Sequence, residues 1–123
     1  MPNERVRVAI VEDDAEVRVA LMRLISSAGF AAETFDSGVD FVHSVSDSPP
    51  ACLVLDLHMP EIGGFEVQQQ LLERHPEVRV VVITGRDTAE ARTRALNLGA
   101  RAYLAKPVDG EALLLAIRGA LQR

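Results

Sequence analysis

Glu12 and Asp13 follow the apolar run Val8-Ala9-Ile10-Val11, Asp56 follows Cys52-Leu53-Val54-Leu55, and Lys106 follows Ala102-Tyr103-Leu104-Ala105. Runs of that length and composition read as β-strands, so each of these four polar residues stands at the C-terminal end of a strand. In a parallel sheet all such ends open onto one edge, where open α/β sheets hold their ligands. Three carboxylates and one ammonium would then converge in a single crevice. Two carboxylates about 4 Å apart repel by roughly 4 kcal/mol at an effective dielectric of about 20. A hard, oxygen-preferring cation such as Mg2+ relieves that repulsion and keeps coordination positions open for a phosphoryl group.

Asp56 is the residue best suited to react. It ends the most apolar strand and is followed by a turn, Leu57-His58-Met59-Pro60-Glu61-Ile62-Gly63-Gly64, whose proline and glycines suit no helix. A carboxylate exposed at the rim and backed by a dry core can attack phosphorus and form an acyl phosphate, provided a cation neutralises the developing charge. Taken alone, Asp56 reads equally well as the start of a turn; its company at one edge favours the nucleophile. In Glu12-Asp13-Asp14 the last acid is read as a helix cap. The first two, at the strand end itself, are read as metal ligands, directly or through water, although acids ahead of a helix also suit its dipole.

Thr84 ends another apolar run, where its hydroxyl can donate to a phosphoryl oxygen on Asp56; singly, a β-branched residue there is ordinary strand propensity. Gly85 beside it leaves room for a ligand. Lys106, held between an apolar strand and Pro107, supplies the positive charge a phosphoryl group needs, with a solvated surface lysine as the alternative. His43 and His75 fall near helix ends and are expected to face solvent. The His58 backbone carbonyl could complete a metal shell, whereas an imidazole ligand is disfavoured because no second His or Cys is suitably spaced.

The elements that must position these groups follow from hydropathy. Short apolar runs alternate with segments of helical period, the pattern of a parallel sheet covered on both faces. A strand over 5–11 leads to a helix from near Asp14 with Val17, Leu21, Leu24, Ile25 and Ala28 on one face, stopped by Gly29. A second strand, 31–35, carries the polar interruptions of an edge and leads to a helix capped by Ser37 and reaching about 45. Ser46-Asp47-Ser48-Pro49-Pro50 is a loop. A third strand at 51–55 precedes a helix over 64–75 with Phe65, Leu71 and Leu72 inward, stopped by Pro76. A strand at 79–83, a helix over 88–98 ended by Gly99, a strand at 102–105 and a helix over 109–121 complete five βα pairs. The fold class is therefore α/β, a doubly wound five-stranded parallel sheet in a single domain covering residues 1–123, either free-standing or cut from a longer protein.

Composition narrows the function. The chain has 123 residues, 48% hydrophobic, enough for one core, and a net charge of −5. That charge argues against direct nucleic-acid or membrane binding, since phosphate backbones select basic faces, and points to protein partners. The single cysteine, Cys52, sits in an apolar strand and reads as a small buried hydrophobe in a reducing compartment. The amino terminus has no apolar signal core and no apolar run approaches the roughly 18 residues of a membrane span, so a cytoplasmic protein is expected.

Together, Ile10-Val11-Glu12-Asp13-Asp14, Leu53-Val54-Leu55-Asp56-Leu57-His58-Met59-Pro60 with Gly64, Val82-Ile83-Thr84-Gly85 and the stretch from Gly99 through Lys106-Pro107 resemble the receiver domain of two-component response regulators, over the full length. The resemblance implies a chemotaxis-regulator-like fold with flavodoxin-like strand order 2-1-3-4-5. It implies that Asp56 accepts a phosphoryl group from a histidine kinase or a phosphotransfer protein. Asp13, Asp56 and the His58 carbonyl would bind Mg2+, with Glu12 acting through water. Thr84 and Lys106 would hold the phosphoryl oxygens, Tyr103 would be an aromatic switch that follows Thr84, and the Lys106-Pro107 bond would be cis. Glu12 stands where aspartate is commoner, and Gly63 replaces a frequent aspartate. The stretch Phe35-Asp36-Ser37-Gly38-Val39-Asp40-Phe41 is similar to receivers of nitrogen-fixation-regulator-type transcription factors, which bears only on an effector that could be attached.

The implied mechanism is a switch: phosphorylation of Asp56 adds charge beside Lys106 and Thr84, repositions the fourth helix and alters partner binding or homodimerisation through the fourth helix, fifth strand and fifth helix, where Arg92, Arg94, Tyr103 and Arg118 lie. Transcriptional control through an effector and a stand-alone receiver acting by protein–protein contact both remain open. An aspartyl-phosphate phosphatase normally carries a second acid two residues after its nucleophile, and here that position is His58. A phosphate-independent module of this fold normally lacks a pocket residue. Nucleotide-binding glycine loops are missing from the sequence.

Overall fold

The computed structural model describes residues 5–59 and 61–122. Five strands alternate with five helices: β1 (Arg7–Val11), α1 (Ala15–Ser27), β2 (Ala31–Phe35), α2 (Gly38–Val45), β3 (Cys52–Asp56), α3 (Gly64–Arg74), β4 (Arg79–Thr84), α4 (Ala89–Asn97), β5 (Ala100–Ala105) and α5 (Gly110–Leu121). All strand pairs are parallel, in the order β2-β1-β3-β4-β5 that the resemblance implied. Strand ends differ from the hydropathic reading by about two residues at most. β1 begins at Arg7, and β3 and β4 run on through Asp56 and Thr84. β5 begins at Ala100, where an irregularity between Val80 and Val81 carries the pairing past Arg101. Backbone pairing takes in polar residues that hydropathy does not mark.

The alternation of side chains along each strand separates two cores. Val8 and Ile10 of β1 face Leu21 and Ile25 of α1 and Leu113, Ile117 and Ala120 of α5. Ala9 and Val11 face the opposite layer, formed by Phe41 and Val45 of α2, Val67 and Leu71 of α3 and Ala95 of α4. Every residue of the central strand β3 is buried, whereas β2 is half-exposed, as befits an edge. Cys52 lies wholly inside, and burial pushes its thiol up to about 12.

Helix starts are fixed by side-chain caps. Asp14, Ser37, Thr88 and Asp109 accept hydrogen bonds from the backbone N–H of Val17, Asp40, Ala91 and Ala112 at 3.2, 3.1, 3.0 and 3.0 Å, each contributing about 1 kcal/mol. Gly29 and Gly99, both at φ +98, take the left-handed conformation that ends α1 and α4.

Two expectations are corrected. Leu72 does not point inward: it is 47% exposed, because the inward face of α3 runs Gly64, Val67, Gln68 and Leu71, and Leu72 lies about 100° further round the helix. His75 is not solvent-facing like the exposed His43; it caps α3 half-buried, with Nδ1 3.6 Å from Glu77 Oε2. No helix among the described residues is long and apolar enough to cross a membrane.

Candidate functional site

The strand order reverses at β1, which has β2 on one side and β3 on the other, so the loops leaving β1 and β3 diverge to opposite layers and open a crevice between them. The pairing of Val11 with Leu55 sets Glu12 beside Asp56, and the pairing of Thr84 with Ala105 sets Lys106 just beyond Thr84. Backbone hydrogen bonds continue to the crevice itself. Glu12 N–H donates to Phe35 O at 3.1 Å, Leu57 N–H to Ile83 O at 3.1 Å, and Lys106 N–H to Thr84 O at 2.8 Å.

Four of the expected residues meet there. Lys106 Nζ lies 2.8 Å from Glu12 Oε1 and 3.4 Å from Asp56 Oδ2. Asp14 N–H donates to Glu12 Oε2 at 3.1 Å, and His58 N–H to Asp56 Oδ1 at 3.2 Å. Glu12, Asp13 and Asp56 each place a carboxylate oxygen within 4.8 Å of the others. Asp13 is exposed, but Glu12 is fully buried and Asp56 is 2% exposed. The rim position expected for Asp56 is thus corrected to a covered one, since Lys106 and the turn at His58 close against it.

Burial raises the Asp56 carboxyl above its ordinary range, and the nearby Lys106 ammonium and the His58 N–H offset this only in part. Glu12 is raised in the same way, with burial outweighing Lys106 and the Asp14 N–H. Lys106 is raised too: burial opposes its charge, but Glu12 and Asp56 together prevail. One ammonium does not satisfy three carboxylates, so two negative charges are left uncompensated. The donor atoms are all hard oxygens gathered within 4.8 Å of one another, the kind of set that hard divalent cations take. The fit is therefore to Mg2+ or a similar cation.

Around this centre, Thr84 is fully buried and its hydroxyl accepts from Arg86 N–H at 3.0 Å, facing its own loop instead of Asp56. A Cβ on Gly85 would meet nothing nearer than Lys106 Cδ at 4.0 Å, so that position is open. Tyr103 is buried with Arg92 Cζ 4.8 Å from its ring centre, and its hydroxyl has no hydrogen-bond partner among the described residues. Burial, then the Asp87 carboxylate, raises its phenol. The Lys106-Pro107 bond is cis. His58 is exposed and its imidazole is no part of the cluster. Arg94 stacks on Phe65 of α3, with Cζ 4.2 Å from the ring centre.

Two residues, Arg18 and Gln68, escaped the sequence reading, and Gly64 was named there without its packing role. Arg18 of α1 donates through Nη1 to Glu12 O at 2.9 Å and Asp13 O at 3.4 Å. A cation near the start of a helix runs against the helix dipole, and that was the available signal. Gly64 has no room for a side chain: a Cβ there would lie 2.6 Å from Leu57 Cα and 2.9 Å from Asp56 O. Gln68, buried in α3, donates to Ala95 O of α4 at 2.9 Å, and no sequence period marks it.

The profile described as "Response regulator receiver domain" matches residues 8–118. Response regulator MprA of Mycobacterium bovis (strain BCG / Pasteur 1173P2) is 37% identical over 118 residues, which are 96% of this chain and 51% of MprA. MprA of Mycobacterium leprae (strain TN) is 38% identical over 117 residues, 95% and 51% of the two chains. The chain spans about half the length of the curated relatives it matches. Among solved structures, FixJ-N superposes with a TM-score of 0.88 at 28% identity, covering 100% of this chain and 97% of that one. A CheY-like receiver from Methanospirillum hungatei JF-1 superposes at 0.90, covering 97% and 94%, and at 24% identity it speaks for the fold alone. The class that fold and site define is a phosphoryl-accepting signalling module. The chain belongs to the response regulator receiver domain family of two-component signal transduction.

Proposed function

We propose that Asp56 is the phosphoacceptor and that Asp13, Asp56 and the His58 backbone carbonyl hold Mg2+, with Glu12 acting through water. The observation that carries this reading is the gathering of three carboxylates, Glu12, Asp13 and Asp56, two of which, Glu12 and Asp56, Lys106 reaches. When bound, the cation neutralises charge on the phosphoryl oxygens. An Asp56 oxygen attacks phosphorus, the new O–P bond forms as the N–P bond of a donor phosphohistidine breaks, and the departing imidazole nitrogen keeps the electron pair. Lys106 meets one phosphoryl oxygen. The donor is a histidine kinase or a phosphotransfer protein, in the cytoplasm, and the domain, residues 1–123, catalyses only its own phosphorylation and dephosphorylation.

Thr84 supplies the switch. To reach a phosphoryl oxygen its hydroxyl must leave Arg86, and that exchange moves the loop that ends in Thr88, the cap of α4. Tyr103 and α4 follow, changing the surface of α4, β5 and α5 through which a partner or a second copy binds. A coupling of about 1–3 kcal/mol changes such an affinity between roughly 5- and 150-fold. Output through an attached effector that controls transcription accords with relatives about twice as long.

Incubation with acetyl phosphate and Mg2+, followed by intact-mass measurement, tests the assignment. A single base-labile phosphoryl adduct is expected, missing in Asp56→Asn and in EDTA; an equal adduct in Asp56→Asn would refute it. Thr84→Ala is expected to accept the phosphoryl group but show a smaller conformational response.

A further inference from the structure

We propose that Arg18 is the positioning residue of the metal-binding turn, holding the backbone that carries Glu12 and Asp13 in its binding geometry. The inference rests on the reading of those acids as cation ligands. At the end of β1 the chain leaves the sheet, and the strand-end carbonyls need partners. Arg18 reaches back from α1 to supply them, with Nη1 2.9 Å from Glu12 O and 3.4 Å from Asp13 O. Its own N–H closes the first helical turn onto Asp14 O at 2.9 Å, so the arginine is anchored at both ends.

Among the described residues, every other restraint on this turn falls on Glu12 or Asp14. Glu12 N–H is tied to Phe35 O, Glu12 Oε2 accepts from Asp14 N–H, and Asp14 Oδ1 caps α1. Asp13 is exposed, and its carboxylate has no hydrogen-bond or ion-pair partner among the described residues. Its place in the cluster is therefore set by backbone alone, and Arg18 is the side chain that grips that backbone. Groups that orient metal ligands typically govern affinity by 10- to 100-fold.

Charge makes the idea testable, because it predicts the opposite sign. An arginine acting only as a nearby cation would repel Mg2+, so its removal would tighten binding. An arginine acting as a clamp loosens binding when removed. The test is calorimetric titration of Mg2+ into the full chain as wild type, Arg18→Met, which keeps the apolar stem, and Arg18→Lys, which keeps the charge with a less well-shaped donor. Thermal unfolding in EDTA and in Mg2+ accompanies it. The clamp predicts that Arg18→Met binds Mg2+ about 10-fold more weakly, with Arg18→Lys between it and wild type. The Mg2+ concentration needed for phosphorylation by acetyl phosphate rises by the same factor, while the rate at saturating Mg2+ is retained. Unchanged or tighter Mg2+ binding by Arg18→Met overturns the proposal, even if its metal-free form melts lower, since that pattern is a purely structural tie. If Arg18→Met does not fold, Arg18→Lys decides: wild-type Mg2+ affinity in that variant overturns the clamp. Wild-type protein that binds no Mg2+ would instead refute the metal site itself.

Discussion

At the scale of single residues the site is a charge problem left partly unsolved. Glu12 and Asp56 are buried within reach of one ammonium, and burial holds both carboxyls above their usual range. The folded chain therefore binds protons more tightly than the unfolded chain just above the ordinary carboxylate range. That contribution is fully present below the unfolded values and is lost as pH rises through the folded ones. Without metal, the melting temperature is expected to fall on going from mildly acidic to neutral pH, and Asp56→Asn is expected to flatten that dependence and melt higher. Mg2+ competes with these protons, so the stabilisation it gives should grow as pH rises. Melting curves in EDTA and in Mg2+ across that range check both statements, and a metal-free protein that gains stability toward neutral pH contradicts them. The four groups of the cluster were legible in the sequence because each follows an apolar run that only a strand explains. Arg18 was not, since its role depends on a side chain folding back across one helical turn, a contact that spacing does not reveal.

At the scale of elements, two helices besides α1 bear on the site. The first residue of α3 presses on the Asp56-Leu57 backbone, and a Cβ at Gly64 would come within 2.6 Å of Leu57 Cα. Gly64→Ala is expected to cost about 1–3 kcal/mol, as overpacking does, and to slow phosphorylation by displacing Asp56; denaturant unfolding and the acetyl phosphate reaction measure the two effects. The other helix, α4, buries only Ala95 of its nine residues. It is tethered to α3 by Gln68 on Ala95 O and by Arg94 on Phe65. Gln68→Leu removes a buried hydrogen bond worth about 1 kcal/mol and should raise amide hydrogen exchange in α4 more than in α3; equal change in both helices would show that the tether is unimportant. Strands and caps were readable because alternation and Asp, Ser or Thr before a periodic run are local signals. The inward face of α3 was misread at Leu72 because it directly follows the buried Leu71, and hydropathy does not separate adjacent leucines that lie about 100° apart round the helix.

At the scale of the whole molecule, five βα units hold the acidic edge in register through a sheet whose central strand is buried throughout. Cys52 reports on that centre: fully buried, with its thiol pushed up to about 12. Alkylation of Cys52 at neutral pH should therefore follow opening of the sheet and match the global unfolding free energy; rapid labelling of the native protein would contradict the core described. The strand order was implied by the family resemblance and is what brings β1, β3 and β5 to a common crevice, whereas local pattern alone leaves the order of parallel strands undetermined. On the proposed reading, Asp56 is the group at this edge that takes the phosphoryl. Reduction of the phosphorylated wild-type protein with borohydride, which converts an aspartyl phosphate to homoserine, followed by peptide mass mapping, tests it most directly. Homoserine is expected at position 56 and nowhere else, dependent on Mg2+; homoserine at Glu12's neighbour Asp13 or at any other aspartate, with Asp56 intact, would rule Asp56 out as the acceptor.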